Sequence, residues 1–211
     1  MPPPDPTVFV VDDDEALCEA LQWLLESAAL RVEAFHSAEA FLDAYDPQRP
    51  GCLVLDLRMR GMNGLDLQAR LARDDLALPV IIITGHGDIP LAVRAMKGGA
   101  VDFLEKPVDD RVLLERIQMA LGRDARNRAV HVQRADILAR LATLSHRERE
   151  VLEQVVAARP SKQIAIALGI TEKTVEVHRK HILQKMRVRS SVELVRAVLA
   201  TRPAPDGMDP M

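Results

Sequence analysis

The chain has 211 residues, 48% of them hydrophobic and 28% charged, with a formal net charge of −3. That length accommodates two domains, and the composition suits a packed core under a charged surface. Apolar runs such as VIII at 80–83 are far short of the roughly 20 residues of a membrane helix, and MPPPDP carries no basic and apolar leader pattern, so no membrane partner and a cytoplasmic location are expected.

The charge is divided along the chain. Residues 1–122 hold 11 Lys+Arg against 21 Asp+Glu, and residues 123–211 hold 17 against 10. An acidic half joined to a basic half points to two domains with different partners, the basic one a candidate for nucleic acid. Cys18 and Cys52 stand alone, without CxxC spacing, and read as reduced thiols.

In the first half, apolar strands are predicted at 7–11, 31–35, 52–55, 80–83 and 101–104. Helical patterns fall between them at 15–28, 38–44, 64–72 and 89–96, with a fifth from 109. The first carries the stripe Leu17, Leu21, Leu24, Leu25, Ala28. Five strands alternating with five helices imply a parallel sheet covered on both faces. The second half has no strand pattern. SHRE at 145–148 is a capping box for a helix to about Ala158, Ser161 is positioned to cap a helix at 162–168, and GIT at 169–171 forms a tight turn. Thr171 is the expected N-cap of a helix at 172–186, and SSVE at 190–193 opens a last helix to about Ala200. The expected domains are an α/β domain at 7–121, a helical linker at 122–143, and an all-α four-helix domain with a helix–turn–helix at 144–201. The proline-rich ends, 1–6 and 202–211, are expected to be disordered.

The first strand runs into Asp12, Asp13 and Asp14, and such a gathering of carboxylates must be offset. Ligands of open parallel sheets sit beyond the carboxyl ends of the strands. Asp12 and Asp13, Asp56, Thr84 and Lys106 each lie at the end of a strand, and the fold converges them on one crevice. The three clustered carboxylates with a backbone carbonyl make an oxygen site of the kind that suits Mg2+, while Asp14 is placed to cap the first helix.

VVDDD, VLDLRM…MNG, IIITGHGD and AVDFLEKP together resemble the receiver domain of two-component response regulators over about residues 5–122, and the GHGD–AMKGGA–DFLEKP series resembles the FixJ branch of the NarL/FixJ group. The resemblance implies a five-stranded flavodoxin-like sheet of order 2-1-3-4-5 and makes Asp56 the phosphoacceptor, attacking a phosphohistidine of a sensor histidine kinase. It assigns Mg2+ to Asp12, Asp13, Asp56 and the main-chain carbonyl of Arg58. Thr84 and Lys106 would bind phosphoryl oxygens, Thr84 and Phe103 would form the conformational switch, and the face at about 89–104 would repack to favour a dimer. Lys106-Pro107 is expected to be cis. Arg60 departs from the pattern, which commonly has Met-Pro where this chain has Met59-Arg60; an altered phosphoryl lifetime is the expected consequence.

The stretch 141–201 resembles the LuxR-type helix–turn–helix. Val151, Leu152, Val155, Ile164, Ala165, Leu168, Ile170, Val175, Ile182, Leu183 and Leu194 form its predicted core. Lys173, Glu176, Val177 and Lys180 share one face of the helix at 172–186, a face suited to the major groove. The family pattern aligns Glu176, Val177 and Lys180 with base-reading positions. Lys162, Thr174, His178, Arg179 and Arg189 are the expected phosphate contacts. An acidic residue at Glu176 is unexpected and is compatible with accepting from a cytosine amino group or with pointing away. His178 and His181 at i, i+3 have no third ligand and read as helix surface and core.

The implied function is a phosphorylation-dependent transcriptional regulator of double-stranded DNA. Phosphorylation of Asp56 would promote a homodimer on a two-fold related promoter site, with RNA polymerase a further partner. It is no enzyme beyond its own phosphoryl transfer and dephosphorylation. Two alternatives stand beside this reading: a regulator controlled by a partner without phosphorylation, and an aspartate-nucleophile phosphatase of the haloacid-dehalogenase type. The second expects Gly-Thr soon after the first Asp, where this chain has Glu15-Ala16.

Overall fold

The structure, a computed structural model, describes residues 5–85 and 89–201. The ends expected to be disordered fall outside it except for Asp5 and Pro6, as do His86, Gly87 and Asp88 of the GHGD loop. The described residues form two compact units, divided after Arg128. The first contains β1 (Thr7–Val11), α1 (Glu15–Ser27), β2 (Arg31–Phe35), α2 (Ala38–Ala44), β3 (Gly51–Asp56), α3 (Gly64–Arg73), β4 (Val80–Thr84), α4 (Ile89–Lys97), β5 (Asp102–Glu105) and the beginning of α5 (Asp110–Ala142). The remainder of α5 belongs to the second unit, with α6 (His146–Val156), α7 (Ser161–Leu168), α8 (Glu172–Met186) and α9 (Ser191–Thr201). No helix among the described residues is long and apolar enough to cross a membrane.

The five strands are parallel in the order β2-β1-β3-β4-β5, the expected flavodoxin-like topology. β1, β3 and β4 are buried at every position because both faces of the sheet are covered. On one face Phe9, Leu53, Leu55 and Ile82 pack with Leu67 and Leu71 of α3. On the other, Val8, Val10, Val54 and Ile81 pack with Leu21 and Leu25 of α1 and Leu113 and Ile117 of α5. The period-2 alternation of side chains assigns each residue to its face. Ala28 departs from its expected place in the α1 stripe. It is the exposed C-cap, and Cys18 is buried beside Leu21 and Leu25 in its stead.

The residues read as a linker, 122–143, are helical to Ala142 with no break from Asp110. Their first turns contribute to the α/β unit through Asp124, a buried carboxylate, and Arg128. In the second unit all eleven predicted core residues lie in one cluster, joined by Ile137, Leu144, Met186 and Val198. Ser145 and Glu148 form the reciprocal capping box of α6, and Thr171 caps α8 through the N–H of Thr174. Gly169 takes the left-handed conformation at the turn between α7 and α8, at φ 65°, where a side chain would be strained.

Two expected caps differ. α7 begins at Ser161 itself, with Pro160 in the N-cap position, so the Ser161 hydroxyl is not a cap. Proline suits a helix entrance because its fixed φ needs no donor there. At α9 the Ser190 hydroxyl accepts from Glu193 N–H, but the Glu193 carboxylate takes the N–H of Arg189 instead of closing the box on Ser190.

Candidate functional site

The three consecutive aspartates do three different things. Asp12 is almost fully buried at the end of β1, Asp13 is half-buried beside it, and Asp14 caps α1 by accepting the N–H of Leu17. Asp12 Oδ1 accepts the N–H of Asp14 at 2.9 Å, and its Oδ2 accepts from Lys106 Nζ at 2.6 Å. Asp56 ends β3 with the matching arrangement. Its Oδ1 accepts from Lys106 Nζ at 2.8 Å and its Oδ2 from the N–H of Arg58. One ammonium therefore bridges two buried carboxylates whose remaining oxygens are held by backbone donors.

The backbone around this bridge is tightly constrained. A Cβ on Gly64, at the start of α3, would fall 2.3 Å from the Asp56 carbonyl oxygen, so only glycine lets α3 approach the strand end. Lys106 N–H donates to the carbonyl of Thr84, which fixes the end of β5 beside the end of β4, and the Lys106–Pro107 peptide is cis. Thr84 is buried. It lies two residues beyond Ile82, whose register partner is Phe103, so Thr84 and the half-buried Phe103 belong to the same face of the sheet.

Charge sets the protonation of the cluster. Burial pushes the Asp56 carboxyl above the ordinary carboxylate range, and the Asp12 charge adds to this against the opposing bond from Lys106. Burial alone would lower the Lys106 ammonium, but its bonds to Asp12 and Asp56 outweigh that and raise it. Asp13 turns away to Arg60, accepting its N–H at 3.1 Å and lying 3.7 Å from its exposed guanidinium. Consequently no three acidic, histidine or cysteine side chains converge as a ready cation cage among the described residues. The chemistry of the donor set nevertheless fits a hard cation. Asp12 and Asp56 present carboxylate oxygens to the half-buried Lys106 ammonium, and Asp13 stands beside them at the same strand end.

The candidate nucleic-acid face lies in the second unit. Lys162, Lys173, Glu176, Val177, Lys180 and Arg189 are exposed, and Thr174 and His178 are half-buried. Arg179 is placed differently from a free phosphate contact. Its guanidinium donates to the hydroxyls of Ser161 and Ser191, and Glu176 accepts from the same Ser161 hydroxyl. His181 is exposed on the same helix.

Sequence reasoning missed several polar residues that join elements. Arg128 donates to the carbonyls of Pro47, Gln48 and Arg49, and Arg140 donates to the carbonyl of Met186 at the end of α8. The i, i+4 acid–base pairs Asp124–Arg128 and Asp136–Arg140 were the available signal.

Comparison with known proteins places both units. Residues 8–118 match the response regulator receiver domain, and residues 142–198 match the bacterial regulatory proteins of the luxR family. The chain is 48% identical over 198 residues to the transcriptional regulatory protein FixJ of Azorhizobium caulinodans, covering 94% of each. It is 46% identical to nodulation protein W of Bradyrhizobium diazoefficiens, covering 90% of this chain and 83% of that one. Among solved structures it is similar to the response regulator StyR, at 45% identity and a TM-score of 0.83 over 93% of this chain and 99% of that one.

Proposed function

The chain belongs to the two-component response regulators that join a receiver domain to a LuxR-type DNA-binding domain, and from that premise we propose that Asp56 is its phosphoacceptor and gates DNA binding. It is a transcription regulator, not a classical enzyme. The observation that carries the proposal is the Lys106 ammonium bonded to both Asp12 and Asp56 at the carboxyl ends of β1 and β3.

A carboxylate oxygen of Asp56 attacks the phosphorus of a phosphohistidine on the sensor kinase; the P–N bond breaks and an acyl phosphate forms. Asp12, Asp13, Asp56 and the Arg58 carbonyl would hold Mg2+, with Asp13 released from Arg60 to join the set. Bound there, the ion supplies positive charge against the transferring phosphoryl group. Lys106 is already poised to pass from the Asp56 carboxylate to a phosphoryl oxygen, and Thr84 at the end of β4 supplies a hydroxyl. Thr84 moving toward that group leaves space on the sheet face it shares with Phe103, and that ring turning inward reshapes the α4–β5 face for a homodimer. The cytoplasmic dimer binds a two-fold related promoter site and acts with RNA polymerase. Lys173, Val177 and Lys180 face the major groove, while Lys162, Thr174, His178 and Arg189 contact phosphates. The α/β receiver then spans about 7–121, and the DNA-binding domain about 144–201.

Intact mass and size-exclusion chromatography test this with Mg2+ and acetyl phosphate as donor, wild type beside Asp56→Asn. A phosphoryl mass and a shift to dimer are expected, both lost in the variant. An unmodified wild type that still binds DNA overturns the proposal in favour of control by a partner protein.

A further inference from the structure

A chain of polar groups ties the DNA-reading helix to the first residues of two others. Arg179, on α8, sends Nη1 to Ser161 Oγ at 2.8 Å and Nη2 to Ser191 Oγ at 3.0 Å. Ser161 opens α7 and Ser191 opens α9. The Ser161 hydroxyl accepts from Arg179 and spends its own proton on Glu176 Oε1, one turn earlier on α8. Three helices and one carboxylate thus meet through a single guanidinium.

We propose that Arg179 and Glu176 are positioning residues of the DNA-reading helix, not DNA contacts. Arg179 sets where α8 stands relative to α7 and α9, and Glu176 is held on Ser161, turned toward α7. This rests on the reading of α8 as the groove-facing helix.

The physical case begins with arginine. Its planar fork presents several N–H donors in fixed directions, so one side chain can bridge two hydroxyls on different helices; the compact lysine ammonium on a flexible stem cannot hold both in the same geometry. Arg179 is half-buried, while Lys162, Lys173 and Lys180 are exposed, so the freely presented positive charge lies elsewhere. Glu176 needs the same arrangement. A carboxylate on a groove-facing helix is repelled by the phosphates, and a donor that holds it toward α7 limits that cost. The bridge also explains why Ser161 is not a cap, since its hydroxyl is committed to α8.

The test uses the full chain with Mg2+ and beryllofluoride, a duplex enriched by the wild type from a randomised pool, and a scrambled duplex. Affinity for both is measured between about 50 and 200 mM salt. Thermal melts and active-site titration confine the comparison to folded protein. With Arg179→Gln, positioning predicts about tenfold loss in the ratio of specific to scrambled binding, the worth of one charge-assisted hydrogen bond, and an unchanged slope of log affinity against log salt. A phosphate contact made by each protomer of the dimer predicts a slope shallower by about 1.8. Arg179→Lys should not restore the ratio, whereas it would restore a phosphate contact. Ser191→Ala, a milder change, should lower the ratio in the same direction. Glu176→Gln keeps an acceptor for Ser161 and should enrich the same sequence; a changed base at one position would show Glu176 reading that base and overturn its part of the proposal. A shallower slope or full rescue by lysine overturns the part for Arg179. Should the wild type enrich no sequence at all, the reading of α8 falls, and the proposal with it.

Discussion

Asp124 of α5 accepts the backbone N–H of Gly51 at 2.9 Å, and Gly51 is the first residue of the strand that ends in Asp56. The same carboxylate takes Arg128 Nε at 2.8 Å, and the Arg128 guanidinium reaches three successive carbonyls, those of Pro47, Gln48 and Arg49. A Cβ on Gly51 would fall 2.0 Å from the carbonyl oxygen of Thr7, its register partner on β1, so β3 meets β1 here with no room for a side chain. The helix that leaves the receiver is therefore clamped to the opposite end of β3 from Asp56.

Removing the Asp124 carboxylate strands a buried N–H and leaves Arg128 without its charge partner. Asp124→Ala should lower the stability of the receiver by on the order of 3 kcal/mol, read from chemical denaturation, and should speed amide exchange at Gly51. Arg128→Lys should recover little, because one ammonium cannot span three carbonyls. Unchanged exchange at Gly51 in Asp124→Ala would show that the clamp is not what holds the strand.

This clamp was illegible in the sequence for a physical reason. Burial is read from apolar periodicity, and 122–129 holds no apolar residue larger than alanine, so a buried carboxylate satisfied by a distant amide leaves no trace beyond its i, i+4 arginine. The parallel sheet was legible because VFVV, CLVL and VIII are apolar at successive positions. The convergence of Asp12, Asp56 and Lys106 was legible because open parallel sheets bring the carboxyl ends of their strands to one edge. Adjacent identical residues are harder. Asp12, Asp13 and Asp14 look alike in the chain, and only the fold sends one to Lys106, one to Arg60 and one to a helix N-terminus.

Lys106 supplies the positive charge between the two buried carboxylates. Lys106→Met leaves Asp12 and Asp56, 1% and 5% exposed, facing each other without it. The melting temperature should fall by several degrees in EDTA at neutral pH, and Mg2+ should raise the variant more than the wild type. Equal responses to Mg2+ would argue against a cation site formed by these carboxylates.

Glu148 carries a pH dependence of known sign in the DNA-binding unit. Burial would raise its carboxyl, but the bonds from Lys185 Nζ at 2.6 Å and from the N–H of Ser145 at 2.8 Å outweigh this and hold it below 4.5. A carboxylate depressed by folding contributes stability above its unfolded pKa, and that contribution is lost as pH falls through the folded one. Urea midpoints of the second unit should therefore drop below about pH 4.5 in wild type, and Glu148→Gln should flatten that part of the curve while lowering stability at pH 7.

The two thiols report opening of the receiver from different depths. Burial pushes Cys18 up to about 11 and Cys52 up to about 12, and Asp12 and Asp124 respectively add to the effect. Little thiolate exists at neutral pH, and neither sulfur is accessible, so a disulfide reagent should react with the native chain only through opening. Cys18 is on α1, covering the sheet, and its Sγ donates to the Asp12 carbonyl at 3.4 Å; Cys52 is inside the central strand. Undocking α1 exposes the first, whereas the second waits until β3 leaves the sheet. Labelling followed by peptide mass should find Cys18 modified first and Cys52 only at the rate of global unfolding, with both reacting at once in denaturant. Equal native rates would mean that α1 and the sheet open as one unit.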